Sequence, residues 1–309
     1  MTESAVPAVS LRHATVRRES FTFGPVSLDI PQGFVTAVVG ANGSGKSTLF
    51  RLLLGLAPLA EGEAEVLGQP VAPGADERYK ARVGFLAELP HAYEGGMTAE
   101  EKARFASQWY PGWSWERYAK LMRAFQADAG IKLRRMSKGM RRKSELAVAM
   151  AHDPELLILD EPSSGLDPFA WKTLLEELNR YMERGDRTLL IATHVTEEVK
   201  RIADYILFMH QGKALGFYEK DRLYDGWRVL VVQRRTDAEP QAAPAAELRR
   251  VPGLQGMAEA GPGLFRLETN APEEAEEACR AWGWNILAMQ RMELEEVLGC
   301  LIRKEEETR

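Results

Sequence analysis

Apolar positions along the chain fall into short runs separated by turn residues, with one long interruption of helical character. Ser27–Ile30 alternates in side-chain character and ends at the turn signal Pro31-Gln32-Gly33. Phe34–Val39 is nearly continuously apolar and rich in β-branched residues, which predicts a strand buried on both faces of a parallel sheet. It runs into Gly40-Ala41-Asn42-Gly43-Ser44-Gly45-Lys46-Ser47, and Thr48–Gly55 reads as a helix. From Thr98 to about Met150 alanine, lysine, arginine and glutamate dominate, so this stretch is expected to be helical. Leu156–Leu159, Thr188–Ala192 and Tyr205–Met209 then read as strands, alternating with helices over Phe169–Glu183 and Val195–Ile202. That alternation predicts a largely parallel α/β sheet. Past Asp225 the composition shifts. Trp227–Val232, Leu264–Glu268 and Asn285–Met289 predict strands, Pro272–Trp282 and Met292–Arg303 helices, and Asp237–Ala246 a loop. No repeat at solenoid spacing is present.

Composition narrows this picture. At 309 residues, 45% of them hydrophobic and 28% charged, the chain has the make-up of a globular protein of about two domains. Forty basic side chains against forty-five acidic ones leave a net charge of −5, which supplies no global pull toward nucleic acid. No stretch approaches the ~20 apolar residues of a membrane-spanning helix, and Met1–Ser10 lacks the apolar core of a signal peptide. Cys279 and Cys300 have no metal-ligand spacing and are expected to be free thiols. Two local features stand out from the average. Arg117–Lys143 holds ten basic residues and one acid, and Trp109-Tyr110-Pro111-Gly112-Trp113-Ser114-Trp115 is an aromatic cluster. The first reads as a solvated helical face or a nucleic-acid footprint, the second as a packing corner or a base-stacking surface.

The strongest chemical signal is Gly40-x-x-x-x-Gly45-Lys46-Ser47, between a predicted strand and a predicted helix. Glycines let backbone N–H groups converge on phosphate oxygens, and the helix N-terminus adds a favourable dipole. In such a loop Lys46 reaches the β- and γ-phosphates, and the Ser47 hydroxyl ligates Mg²⁺. A second carboxylate for the metal comes from Leu156-Leu157-Ile158-Leu159-Asp160-Glu161, at the carboxyl end of a buried strand. Ligands gather at the carboxyl ends of strands in doubly wound sheets, so Asp160 and the phosphate loop are expected to face one pocket. Glu161, one position on, is placed to polarise an attacking water.

With these motifs in place the chain resembles the nucleotide-binding subunits of ABC transporters. Met136-Ser137-Lys138-Gly139-Met140 is similar to that family's Leu-Ser-Gly-Gly-Gln signature, and Ser164-Gly165-Leu166-Asp167 to its D-loop. Thr193-His194 falls at the family's switch histidine and Phe85-Leu86-Ala87-Glu88 at its Q-loop. The resemblance spans about residues 10–220. It implies an α/β fold: a P-loop ABC ATPase core with a mainly parallel sheet over 1–225, a helical subdomain at about 98–150, and a small C-terminal α+β module over 226–309. It implies ATP and Mg²⁺ as cofactors. Gly40, Asn42, Gly43, Ser44, Gly45, Lys46, Ser47 and Thr48 would hold the phosphates, and Ser137 and Gly139, ahead of a helix beginning near Arg141, would meet the γ-phosphate of a second subunit's ATP. Ser47, Asp160 and Glu88 would serve the metal, with Glu161, His194 and Lys46 as the catalytic set. The implied partners are a second copy or a close ATPase relative, and a separately encoded transmembrane permease; no nucleic acid is expected. The implied location is cytoplasmic, peripheral on the inner face of the membrane.

This sequence departs from the family pattern at three positions: Glu88 stands where glutamine is usual, and Lys138 and Met140 replace signature residues. Phe21, Phe23 and Arg17 are the candidates for the adenine-stacking position. Tyr110-Pro111 and Trp113-Ser114-Trp115, taken with Ser137-Lys138-Gly139-Met140-Arg141, resemble a bacterial subgroup of exporter ATPases associated with drugs, bacteriocins or amphipathic peptides, the phenol-soluble-modulin exporter type among them. The rival from another class is a soluble ABC-type ATPase acting on nucleic acid or ribosomes. Lys46 and Ser137 are only 91 positions apart, which leaves no room for the long coiled coil of chromosome-type relatives.

Overall fold

A computed structural model describes residues 7–72, 77–89, 92–234 and 244–308. The chain divides into two compact units, Met1–Phe217 and Tyr218–Arg309.

In the first unit, β1 (Pro7–Arg18) and β2 (Phe21–Pro31) form an antiparallel pair, and β3 (Val35–Val39) leads through the glycine-rich loop into α1 (Lys46–Leu53). β4 (Glu61–Val66) and β5 (Gln69–Pro70) complete an antiparallel sheet of order β2-β1-β4-β5. β6 (Val83–Leu86) precedes the helices α2 (Ala99–Ser107), α3 (Trp115–Ala124) and α4 (Lys138–Met150). Strand–helix alternation then resumes with β7 (Leu156–Asp160), α5 (Pro168–Met182), β8 (Thr188–Ala192), α6 (Thr196–Ile202), β9 (Tyr205–His210) and β10 (Lys213–Glu219). The second sheet has the order β10-β9-β3-β8-β7-β6, and β3 pairs in parallel with both β8 and β9, as β7 does with β6 and β8.

Every residue of β7 and β8 is buried, as an unbroken apolar run between two parallel neighbours requires. Because the strands run in one direction, the ends of β3, β6, β7 and β8 open onto the same edge, where the phosphate loop, Glu88, Glu161 and His194 follow them. Four of these helices are started by side-chain caps. Thr98 and Glu101 form a capping box on α2, Ser114 caps α3, Ser137 caps α4, and Asp167 precedes Pro168 at the start of α5.

The second unit comprises α7 (Lys220–Gly226), β11 (Arg228–Arg234), α8 (Pro244–Leu248), β12 (Leu254–Gly261), β13 (Leu264–Thr269), α9 (Pro272–Ala281), β14 (Trp284–Arg291) and α10 (Leu294–Glu307). Its sheet, of order β12-β13-β11-β14, is antiparallel throughout and packs Leu230, Val232, Phe265, Leu267 and Trp284 into its own core. Cys279 and Cys300 are buried free thiols.

Several expectations shift. The compact units meet at 217/218 rather than 225/226, because α7 joins the second unit: Leu223 is buried and Asp225 pairs with Arg291 at 3.0 Å. Helix α4 begins at Lys138, not near Arg141, so the signature residues after Ser137 form its first turn. β12, with its alanines and glycines, carries little strand propensity and is held by pairing to β13. Of the loop expected over Asp237–Ala246, residues 237–243 lie outside the described residues, and Pro244 onward is helical. Among the described residues no helix is long and apolar enough to cross a membrane.

Thr98→Ala removes the hydroxyl that accepts from the Glu101 N–H at 3.1 Å and should cost about 1 kcal/mol in urea unfolding. An unchanged unfolding midpoint would show that α2 is held by packing alone.

Candidate active site

The loop after β3 wraps a cavity of ≈ 470 Å³ whose wall includes Asn42, Ser44, Lys46, Ser47, Asp160 and Glu161. Gly45, at φ 109°, makes the left-handed turn that swings the chain from strand into α1, a conformation open to glycine and strained for other residues. Lys46 is buried, and its ammonium donates to the carbonyls of Gly40 at 2.7 Å and Ala41 at 3.2 Å. The buried Ser44 hydroxyl has no hydrogen-bond partner among the described residues. A buried hydroxyl left unpaired is costly.

The two sequence motifs meet through one bond. Ser47 Oγ donates to Asp160 Oδ2 at 2.8 Å across 113 residues of chain. Asp160 is buried, and burial pushes its carboxyl above the usual range; the Ser47 hydrogen bond opposes this, Glu88 and Glu161 add to it, and Lys46 opposes it. Asp160 with the Ser47 hydroxyl is the kind of oxygen donor pair that a hard divalent cation takes, and Glu88 and Glu161 line the same cavity. Among the described residues no group of three or more His, Cys, Asp and Glu side chains forms a ready-made metal cage. That donor set fits Mg²⁺, which usually keeps several waters and binds through one or two carboxylates plus substrate phosphates. Glu88 lines the same cavity from an exposed position.

Glu161 sits at φ 51°, a left-handed conformation that costs a non-glycine residue about 1–3 kcal/mol. Its N–H donates to the Ala192 carbonyl at 2.9 Å, and its carboxylate meets His194 Nδ1 at 2.7 Å. The Glu161 side chain is 7% exposed and that of His194 67%, so the histidine is the solvent-facing member of the pair.

Ser137 spends its hydroxyl on the α4 cap, accepting from the Met140 N–H at 3.2 Å. A Cβ on Gly139 would lie 2.4 Å from the Gly165 carbonyl oxygen, so only glycine lets the signature turn approach the D-loop this closely. Lys138 donates to Ser164 Oγ at 2.6 Å and Lys143 lies 3.6 Å from Asp167, which fastens the same two segments.

Two residues of the site carried no sequence signal. Arg142 is buried, and its guanidinium donates to the carbonyls of Ala87, of Glu88 at 2.9 Å and of Glu161 at 3.1 Å. Burial holds it below the usual arginine range, opposed by Glu145, Asp160, Glu88 and Glu161. Glu198 is also buried and accepts from the hydroxyls of Ser163 and of Thr193, the latter at 2.6 Å; burial pushes its carboxyl up. A helix-face arginine and a helix-face glutamate look like surface residues in the sequence, and only the tertiary fold turns them inward.

Of the adenine-stacking candidates, Phe21 lines the cavity beside Arg18 and Ser20. Phe23 is excluded because it is fully buried in the core, and Arg17 is turned away into an exposed ion pair with Glu61. Within the aromatic cluster Trp113 and Trp115 pack with Tyr118, ring centroids 5.5–5.9 Å apart, whereas Trp109 is exposed. Within the basic segment, Arg117, Lys138, Arg141, Arg142 and Lys143 are engaged in contacts inside the fold. A second hollow, ≈ 330 Å³, lies between β6 and the helices and is walled by Phe85, Tyr93, Phe105 and Trp109 with Glu94 and Lys102.

The phosphate loop, Glu88, Ser137, Asp160 and Glu161 lie inside a stretch, 23–164, that matches the family model of the ABC transporter. The Nod factor export ATP-binding protein I of Cupriavidus metallidurans is 31% identical over 205 residues, covering 65% of this chain and 67% of that protein. This chain belongs to the ABC transporter ATP-binding family. An uncharacterized ABC transporter ATP-binding protein of Nostoc sp. is 35% identical over 214 residues, 67% of this chain and 62% of that protein. The Nod factor export ATP-binding protein I of Sinorhizobium fredii is 33% identical over 195 residues, 62% of this chain. The aligned region thus spans 56% to 62% of the length of these last two relatives. A solved ATP binding subunit of an ABC transporter has a TM-score of 0.64 at 28% identity, covering 71% of this chain and 92% of that one. A dimeric ATP-binding cassette in a post-hydrolysis state with ADP and Pi shares the fold, with a TM-score of 0.60 at 22% identity over 68% of this chain and 98% of that one. The ABC ATPase core expected from the sequence is therefore the observed fold.

The raised Asp160 carboxyl makes a stability prediction for this ABC site. A folded-state value above the unfolded one means that ionised Asp160 destabilises the fold at neutral pH, and this penalty fades as pH falls and the carboxyl protonates. Asp160→Asn keeps the acceptor for Ser47, so it should raise Tm at about pH 7.5 and raise it less at about pH 5. A lowered Tm at neutral pH would contradict the burial account.

Proposed function

We propose that this chain binds Mg·ATP in the cavity between the phosphate loop and β7 and hydrolyses it to drive a separately encoded membrane permease. The observation that carries the reading is the Ser47–Asp160 hydrogen bond, which joins the two motifs around one cavity. Lys46, the loop N–H groups and the Ser44 hydroxyl would hold the phosphates, and Phe21 is placed to stack on the base. Mg²⁺ at Ser47 and Asp160, with Glu88 acting through water, would neutralise charge on the transferred phosphoryl group. Glu161 would orient and deprotonate the attacking water, held in aim by His194. A proton taken by Glu161 can pass along its contact with His194 Nδ1 toward solvent.

The signature turn at Ser137–Gly139 is built to meet a phosphate from a second chain at the N-terminus of α4, so two copies, or this chain and a close relative, would close on two nucleotides. The dimeric form of the cassette with ADP and Pi supports this arrangement. The aromatic hollow beside Glu88 is the proposed seat of the permease, because it adjoins the segment that also lines the nucleotide cavity. Kinship to Nod factor export ATP-binding proteins favours export over uptake. The chain would then work from the cytoplasm against the inner face of the membrane.

Glu161→Gln should bind ATP with unchanged affinity and lose at least about 100-fold in kcat; hydrolysis at the parent rate would sink the base assignment. Lys46→Ala should raise the Kd for ATP in calorimetry, and an unchanged Kd would overturn the phosphate-loop reading. The composite site has its own test. Lys46→Ala chains mixed with Ser137→Arg chains would form heterodimers with one intact site, so mixing should restore ATPase activity that each lacks alone. No restoration would argue against sites shared between chains.

A further inference from the structure

Arg142 occupies a position that the proposed chemistry does not use. It lies on the first turns of α4, five residues after the Ser137 cap, and its side chain is buried rather than part of the cavity wall. One guanidinium edge holds the carbonyls of Ala87 and Glu88, which follow β6, and the same group reaches the carbonyl of Glu161, which follows β7. Two segments, one following β6 and one following β7, are thereby tied to one planar, rigid donor on α4.

The Glu161 end of this tie has a specific consequence. A residue kept at φ 51° stays there only where its surroundings over-determine it. The peptide N–H of Glu161 is fixed by the Ala192 carbonyl of β8, and its carbonyl by Arg142. Releasing the second clamp would let the Glu161 backbone relax, swinging its carboxylate off the line between water and phosphate. The Ala87–Glu88 end ties the same clamp to the wall of the aromatic hollow, since both Phe85 and Ala87 line that hollow and Glu88 lines the nucleotide cavity.

We propose that Arg142 is a positioning residue that holds the left-handed Glu161 in its working aim and fixes it to the Ala87–Glu88 segment. Its guanidinium acts on them through their backbone carbonyls. This inference rests on the reading of Glu161 as the group that activates water, and its test separates the two.

The experiment compares Arg142→Lys, Arg142→Gln and Glu161→Gln in the full chain, reading kcat, KM, ATP affinity by calorimetry and Tm. Loss of aim costs roughly 10- to 100-fold in kcat for a displacement of about 1 Å. Arg142→Gln should therefore lose kcat in that range while the Kd for ATP stays within about twofold, since the phosphate loop is untouched. Arg142→Lys keeps the charge but not the fork, and should fall between Arg142→Gln and the parent. Parallel loss of kcat and ATP affinity, or a kcat equal to the parent in both Arg142 variants, overturns the inference. If Arg142→Gln does not fold, the kcat-to-Kd split in Arg142→Lys decides by the same criterion. An active Glu161→Gln would instead refute the water-activation reading on which the inference rests.

Discussion

The hydrogen bond from Ser47 to Asp160 is the constraint around which the first unit is arranged. It joins the start of α1 to the last residue of β7, and β8 lies between β7 and β3 in the sheet. Parallel pairing brings the strand ends to one edge, and this bond sets the phosphate loop directly against a carboxylate. Around it the site accumulates features that do not favour stability: a buried lysine, crowded carboxylates, an unpaired serine hydroxyl and a left-handed glutamate. Strain and perturbed carboxylates collected in one place mark a candidate functional site.

The supports behind the cavity are as informative as its wall. Arg142 ties α4 to the turns after β6 and β7, Glu198 ties the residue before His194 to Ser163, and Lys138 and Lys143 tie α4 to Ser164 and Asp167. Each is a polar side chain acting on a backbone, hydroxyl or carboxylate group of a neighbouring loop. A helix that moves with a partner chain would carry these loops with it. The substitution of Lys138 for a signature glycine fits this scheme, because its ammonium is used on the D-loop serine.

The parts of the site that are contiguous in the chain were legible in advance. Gly40 to Ser47 and Leu156 to Glu161 carry their strand, loop and helix context with them, so their meeting at one sheet edge follows from pattern alone. What failed to show depends on contacts distant in sequence. Phe21 and Phe23 are two residues apart in one strand and look equivalent; register separates them, since Phe21 pairs with Arg18 beside the hairpin turn while Phe23 pairs with Val16 over the core. Arg142 and Glu198 read as solvated helix positions until the fold buries them. In the second unit, β12 and the membership of α7 were missed for a related reason, because strand pairing and the Asp225–Arg291 contact outweigh local propensity.

The central claim is that Ser47 and Asp160 form one metal-nucleotide site. The most direct measurement is an anomalous-scattering map of crystals grown with Mn²⁺ and a non-hydrolysable ATP analogue. The account predicts one manganese peak at ligand distance from the Ser47 hydroxyl, directly or through water from Asp160, with the triphosphate wrapped by Gly40 to Thr48. A nucleotide bound elsewhere, or a metal peak remote from both residues, would contradict it.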